Sequence, residues 1–596
     1  MTETILVCTA WPYANGDLHI GHLAGAYLPP DIFARYHRLK GNRVLMVSGS
    51  DSHGTPITLR ADAEGIPARE LFERFHLRFL ETFQQMGITY DLFTHTDTEN
   101  HHRVSQDIFT ACLDNGYLFK QTEQQFYSES EGRFLADRYI EGTCPHCGYD
   151  GARGDQCDNC KRLLEPTDLI DPRSKTDGST PILRETEHFY LDLAKLSEAV
   201  WEYLNDGKEH WRANVINFSR QYVKDGLRGR PITRDIDWGV AIPLPGYDSK
   251  RLYVWFEAVI GYFSASIEWA LNRGQPERWK EWWYRPEAKT YYFIGKDNIP
   301  FHTVIWPAEL IATGLRLYEA DHDQQLNLPY DVPANEYLNM EGQKLSTSRN
   351  WAIWTPDLLE RFDPDPIRFY LSFIAPESRD TDFTFEDFVR RNNDELVATW
   401  GNLANRVLGF AYKRFDGRVP EIGPAGLDEV DKQILAEVEA GFDTVGELLT
   451  AVKLKAALDT ALSLARSTNV YLDRKEPWKV INDDAAAAGT TIYVALRVID
   501  NLKILLAPFL PHSGQRLHEV LGYEGQLFGR QHTETFGEST RKHEALCYDG
   551  SQALGRWEAS QLPPGQPLRE PAPLFKKLEP EVAEQEIARL LGGESH

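Results

Sequence analysis

Thr9-Ala10-Trp11-Pro12-Tyr13-Ala14-Asn15-Gly16-Asp17-Leu18-His19-Ile20-Gly21-His22 is the stretch from which the fold is read. Ile5-Leu6-Val7-Cys8 before it is a short apolar run rich in β-branched residues, the pattern of a buried strand. Pro12, Asn15 and Gly16 break that strand in a turn. A helix is then predicted from about Leu18 to Leu39, with the two histidines on one side of its first turn. A strand that feeds a turn and a helix start beside glycine makes an anion site, because unpaired backbone N–H groups and the helix dipole point the same way. Two histidines near a helix start also occur as ordinary surface or metal residues; their position after an N-terminal strand favours the anion site.

The strand–turn–helix pattern recurs. Val44-Leu45-Met46-Val47-Ser48-Gly49 reads as a second buried strand and ends in the polar loop Ser50-Asp51-Ser52-His53-Gly54-Thr55-Pro56. In open α/β sheets, ligands bind at that carboxyl edge. A helix follows from about Ala68 to Met86, with Leu71, Phe72, Phe75, Phe79, Leu80 and Phe83 at helical spacing, a core pattern. Further strands are predicted at Leu252–Phe256 and Thr290–Ile294. The second ends in Gly295-Lys296-Asp297-Asn298, again a polar loop after a strand. The expected fold is therefore α/β, a doubly wound Rossmann-like parallel sheet. It is split by an insertion and followed by helices, since stretches within Glu395–Arg414, Asp428–Leu449, Val452–Leu472 and Thr490–Leu506 carry apolar residues at helical spacing, the signature of a bundle.

Composition bounds the rest. The chain has 596 residues, enough for several cores, and a net charge of −25. That acidity argues against a general nucleic-acid binder, while a local basic groove remains compatible with it. No apolar run is long enough to span a membrane, and the start has no basic leader, so a cytoplasmic location is expected. Of seven cysteines, Cys8, Cys112 and Cys547 are scattered. The others form Cys144-Pro-His-Cys147 and Cys157-Asp-Asn-Cys160, two C-x-x-C pairs with the spacing of a tetrahedral zinc cage. Four thiolates leave no open coordination position, so the zinc, one per chain, is expected to be structural. Asn339 to Asn350 has no apolar periodicity. It reads as a polar loop in which Lys344 and Arg349 flank hydroxyls, suited to closing over phosphates. The chain after about Glu534 reads as polar and proline-rich, then amphipathic from Glu579 to Leu591, a partly ordered tail.

Together these features resemble the class I aminoacyl-tRNA synthetase family, and within it the methionine-specific group. The resemblance rests on the opening stretch, which is similar to the family's HIGH signature, and on Asp51-Ser52-His53-Gly54-Thr55-Pro56. It rests also on the cysteine knuckle, Ser179-Thr180-Pro181, Glu187-His188-Phe189 and Gly295-Lys296-Asp297. Lys344-Leu345-Ser346-Thr347-Ser348 is similar to the KMSKS loop. The resemblance implies methionine activation by ATP and transfer to initiator and elongator methionine tRNA with a CAU anticodon, with Mg2+ accompanying ATP and the enzyme a monomer. It implies catalytic roles for His19, His22 and Lys344. An ATP site would comprise His19, Gly21, His22, Gly295, Asp297, Asn298, Lys344 and Thr347. A methionine pocket would comprise Ala10, Trp11, Tyr13, Asp51, Trp255, Ala258, Tyr262 and His302. Asn402, Arg406 and Trp478 would read the anticodon.

The implied domains are 1–115 and 231–330 for the Rossmann halves, 116–230 for the insertion with its knuckle, and 331–388 for the KMSKS-type loop and stem-contact region. Residues 389–533 would form the helical anticodon domain and 534–596 the tail. Three departures stand out. Trp11 and Val259 occupy positions where leucine and proline are common, and Thr347 replaces the loop's second lysine. With that lysine gone, Lys344, with Arg349, is expected to carry the charge while Thr347 hydrogen-bonds ATP. The alternatives are a sister synthetase for leucine, isoleucine, valine or cysteine, or a non-catalytic tRNA-binding relative. The short insertion has no room for the large editing module of the first, and the intact histidines and Lys344 count against the second. A zinc hydrolase is disfavoured by the closed cage.

Overall fold

The computed structural model describes residues 2–135, 139–154, 157, 159–160, 164, 166–314, 317–318, 325–345 and 351–592. The central sheet is built from β1 (Thr4–Thr9), β2 (Arg43–Ser50), β3 (Leu92–His95), β4 (Lys289–Gly295), β5 (Ala334–Asn335), β6 (Arg530–Gly537) and β7 (Lys542–Asp549). Its strand order is β5-β4-β1-β2-β3-β7-β6. The first five strands run parallel, with Val7 opposite Met46 on one side and Tyr291 on the other. The sheet reverses its direction of growth at β1, so its carboxyl ends open a crevice there, as doubly wound sheets do. Both faces are covered, and for that reason the strands read as near-continuous apolar runs. The Ala68–Met86 helix forms over the predicted residues and buries Leu71, Phe72, Phe79 and Phe83.

Between β3 and β4 the chain leaves the sheet. Leu118–Ser128 and Ile182–Leu191 form a long antiparallel ribbon that carries the cysteine knuckle at its far end. The cluster of Phe126, Leu135, Tyr139, Ile140, Cys144 and Cys157 is a small core separate from the main one. The helical region contains Asn402–Arg414, Glu429–Thr450, Leu454–Lys475 and Ala485–Leu506, close to the expected spans.

Three expectations are corrected. The single helix from Leu18 becomes a short α-turn at Ile20–His22, a π-helical turn at Leu23–Tyr27 and an α-helix at Leu28–Leu39. A wide turn of this kind is often found at functional sites. The strand expected at Leu252–Phe256 stops at Leu252; Val254–Asn272 is a helix with 15 buried residues. An apolar run buried all round carries no period, so strand and helix look alike over five residues. The tail is not a tail. It supplies β7 and the second half of β6; β7 pairs antiparallel with β3 and β6 with β7, extending the sheet, and its residues Leu562, Leu568, Leu574 and Phe575 are buried. The first strand of the hairpin is polar apart from Phe536 and the second carries only the apolar run Ala545–Tyr548, so neither shows a strand period until a partner edge is present.

Candidate active site

His19 stands at the helix N-cap with extended backbone (φ −107°), and its Nδ1 accepts the Gly21 N–H at 3.1 Å. His22 Nδ1 accepts the His19 N–H at 3.2 Å. The two histidines thus close a reciprocal capping box, the task more often done by Ser and Glu. Their rings stack with centroids 3.7 Å apart. Burial depresses both imidazoles, His22 to about 4 and His19, beside His22, well below its usual value, so both are neutral near pH 7. Because each Nδ1 accepts, each ring carries its proton on Nε2 and offers a neutral N–H donor. A Cβ at Gly21 would lie 2.6 Å from the Leu345 side chain, so only glycine lets the loop residue lie against this turn. The segment after the loop also docks here: Ile20 N–H donates to Ile353 O (3.1 Å) and Thr355 N–H to Leu18 O (2.7 Å).

The first half of the opening stretch faces a cavity of about 740 Å³. Trp11 lies in a slot left by two glycines, since a Cβ on Gly49 or Gly261 would come within 2.1 or 2.6 Å of its indole. That is the physical reason a tryptophan fits where leucine is common. Trp11 and Tyr13 meet Tyr262 and Trp255 edge-on, and Trp255 stacks on Phe301 at 4.1 Å. His302 Nδ1 donates to Asn298 O (2.9 Å), so its Nε2 accepts the Tyr262 hydroxyl proton at 2.8 Å. Burial holds His302 neutral, down to about 4. These rings form an apolar wall with one fixed polar seam.

Asp51, 3% exposed, sits at the end of β2 and accepts the His53 N–H at 3.2 Å. Burial and the nearby Glu257 carboxylate push its pKa well up, so a cation entering the cavity would be welcome. Glu257 itself is held down to about 2, against its burial, by His53 and His101, at 3.0 and 2.6 Å. His53, between Glu257 and Asp97, is pushed up to about 10 despite its own burial.

On the other side of the cavity, Gly295, Asp297 and Asn298 end β4. Asp297 accepts the Tyr337 hydroxyl, and Lys344 Nζ lies 4.2 Å from the Tyr337 ring centroid. Lys344 is exposed on the two-residue strand Gln343–Lys344, which pairs with Leu338–Met340. The expected loop is therefore a hairpin in its first half. Thr347 and Arg349 lie outside the described residues.

One cavity thus brings together every described residue expected in the methionine and ATP sites: Ala10, Trp11, Tyr13, Asp51, Trp255, Ala258, Tyr262 and His302 with His19, Gly21, His22, Gly295, Asp297, Asn298 and Lys344. Sequence reasoning missed Phe301, Tyr337 and Trp354, which also line it. They stand at the starts of other elements, Phe301 opening a π-helical turn, Tyr337 just before the strand Leu338–Met340 and Trp354 at the N-cap of the helix Thr355–Arg361, and no common sequence signal marks them.

Two further clusters lie apart. The four sulfurs of Cys144, Cys147, Cys157 and Cys160 lie within 4.8 Å of one another, Cys144–Cys160 at 3.8 Å and Cys147–Cys157 at 3.6 Å. A tetrahedron with bonds of about 2.3 Å has edges of about 3.8 Å, so the donor set fits zinc. In the bundle, the Arg406 guanidinium covers the Trp478 ring at 4.5 Å, and Asn402 is one turn earlier on the same helix and exposed.

Residues 5–408 match the family model described as tRNA synthetases class I (M), and residues 419–546 match the anticodon binding domain of methionyl tRNA ligase. The chain is 57% identical over 593 residues to the methionine–tRNA ligase of Thermomicrobium roseum, covering 99% of each. It is 53% identical over 599 residues to that of Roseiflexus castenholzii, again covering 99% of each. Among solved structures, Mycobacterium tuberculosis methionyl-tRNA synthetase bound by methionyl-adenylate superposes with a TM-score of 0.74 at 23% identity, covering 96% of this chain and 100% of that one.

Proposed function

The chain belongs to the methionine-specific family of class I tRNA synthetases, and from that premise we propose how its cleft works. The protein is a methionine–tRNA ligase, which activates methionine with ATP and passes it to tRNA. The observation that carries the residue roles is the single cavity in which an aromatic wall, a buried carboxylate, a histidine-capped helix start and a loop lysine face one another.

The methionine side chain lies among Trp11, Tyr13, Trp255, Ala258 and Tyr262, since a polarisable thioether suits aromatic neighbours. Its ammonium pairs with Asp51, and the Tyr262–His302 hydrogen bond keeps that side of the wall from closing. The carboxylate attacks the α-phosphorus of ATP, an O–P bond forms, and the bond to pyrophosphate breaks. The carboxylate is already a nucleophile, so positioning and charge stabilisation dominate. His19 and His22 donate from Nε2 to phosphate oxygens. Being neutral, they leave the positive charge to Lys344, with Thr347 and Arg349 assisting. Gly295, Asp297 and Asn298 hold the adenosine. Mg2+ bound with ATP would neutralise phosphate charge. In the second step the 3′-terminal adenosine hydroxyl attacks the acyl carbon and AMP leaves.

The same reading assigns Asn402, Arg406 and Trp478 to the CAU anticodon of initiator and elongator methionine tRNA, Trp478 by stacking and the others by base-edge hydrogen bonds. The four cysteines hold one structural zinc. The domains are those set out from the sequence, with the last segment joined to the catalytic sheet, and the protein acts as a cytoplasmic monomer. Among the described residues, no helix is long and apolar enough to cross a membrane. The test is methionine-dependent ATP–pyrophosphate exchange followed by aminoacylation of methionine tRNA. Exchange with leucine or cysteine but not methionine would overturn the assignment of the pocket.

A further inference from the structure

The hairpin β6–β7 lies more than four hundred residues beyond Asp51, yet four of its residues reach the floor beneath it. Arg541 Nη1 donates to Asp97 Oδ2 at 2.5 Å, and its Nε donates to Glu538 Oε2 at 2.7 Å. Asp97 Oδ1 is 3.5 Å from His53 Nε2. His53 in turn holds Glu257 through Nδ1 and Asp51 through its backbone N–H. A second line runs from Glu544 O, which accepts the His76 Nε2 proton at 2.8 Å. His76 Nδ1 then accepts the hydroxyl of Ser50, the residue before Asp51, also at 2.8 Å. A third joins His543 to Glu268 (3.0 Å), which accepts from Thr94 on β3 (2.8 Å).

We propose that Arg541 is a positioning residue for the amino-acid pocket, fixing Asp97, and through it His53, so that the Asp51 carboxylate keeps its place for the substrate ammonium. This rests on the assignment of Asp51 to methionine made above. Asp97 also pairs with Arg69 at 2.6 Å, but the Arg69 side chain is 41% exposed and Arg541 only 22%. Arg541 is tied down a second time by Glu538, whose other oxygen accepts the Glu99 N–H at 2.7 Å. Of the two guanidiniums, Arg541 is the one whose geometry is set by the fold. His53, Asp97 and His102 also have the separation of a metal triad. Two guanidiniums on the single carboxylate already supply the cationic charge that an ion would bring, so the cluster is read as a charge relay of position rather than a metal site. A carboxylate displaced by a fraction of an ångström loses the substrate while the fold persists, because binding geometry is less tolerant than packing.

The test uses the full chain and ATP–pyrophosphate exchange. Arg541→Gln is expected to raise the methionine KM by about fivefold to tenfold while the ATP KM and kcat change by less than about twofold, and calorimetry should show the same loss in methionine Kd. Arg541→Lys, which keeps the charge on Asp97, is expected to recover most of that loss. Arg530→Gln, exposed at the far end of the hairpin, is the control and should change nothing. A methionine KM within about twofold of wild type in Arg541→Gln would overturn the proposal, and so would an ATP KM that rises in parallel. Should Arg541→Gln fail to fold, Glu538→Gln weakens the anchor and keeps the acceptor for Glu99; an unchanged methionine KM there overturns the proposal equally. Wild-type protein without methionine-dependent exchange would refute the assigned function itself, whereas normal wild-type exchange with an indifferent Arg541→Gln refutes only this inference.

Discussion

Asp51→Asn is the sharpest single perturbation of the amino-acid site. The asparagine is isosteric and can still accept the His53 N–H that Asp51 accepts at 3.2 Å, so the fold around it should hold. What it removes is a charge that is 3% exposed at the wall of an open cavity. A pair of unit charges about 4 Å apart at an effective dielectric of about 20 is worth roughly 4 kcal/mol. A neutral amide oxygen recovers about 1 kcal/mol of that as a hydrogen bond. The net loss of about 3 kcal/mol corresponds to a rise of about 150-fold in methionine KM and Kd. Exchange kinetics titrated with methionine, with isothermal calorimetry in parallel, measure it. An analogue that lacks the ammonium provides the cycle: wild type should bind it about as weakly as Asp51→Asn does, and the variant should lose nothing further. A rise below about fivefold, or an equal loss with the ammonium-free analogue, would refute the pairing. The pH dependence has a definite sign as well. Burial and Glu257 raise the Asp51 pKa, and only the ionised form pairs, so methionine affinity should weaken on acidification at a higher pH than for an ordinary carboxylate.

Three further outcomes follow from the same geometry. His76 and His302 are buried and neutral with pKa near 4, against about 6.5 when unfolded. The unfolded chain therefore binds more protons between those values; the stabilisation is full above 6.5, and each histidine should cost roughly 2 kcal/mol by pH 5, measured as a fall in the urea midpoint, with an unchanged midpoint counting against buried neutral rings. Trp478→Ala should lower kcat/KM for tRNA by about tenfold to a hundredfold and leave pyrophosphate exchange intact, which separates anticodon reading from activation; loss of both would mean that the residue is structural. Cys144→Ser should reduce bound zinc from about one per chain to none by metal analysis, since three thiolates in a half-exposed knuckle hold the ion far less well; wild-type protein without zinc would leave the tetrahedral spacing unexplained.

The local features were legible because their physics is local. A β-branched run, a proline–glycine turn and a helix start with two histidines are all contained in eighteen residues, and the structure realises them as β1 and the capped turn at Ile20–His22. The same holds for the two C-x-x-C pairs, whose sulfurs meet across a short loop, and for the bundle helices, whose apolar spacing repeats many times. The roles within the cleft came from a resemblance to a known family, not from periodicity. Their convergence in one cavity needed the crossover that sets β4 beside β1.

Tertiary structure decided the rest. Whether Val254–Phe256 were strand or helix depended on what surrounded them, because a segment buried on every side has no polar face to reveal its period. Trp11 is acceptable only because Gly49 and Gly261, at positions 38 and 250 residues away, leave it a slot. The hairpin β6–β7 is a pair of strands because β3 offers it an open edge, and Arg541 meets Asp97 because that edge brings them together across 444 residues. Sequence by itself determined the segments whose stabilising partners lie within a turn or a loop; partners chosen over hundreds of residues are set by the shape of the completed sheet, which no local pattern encodes.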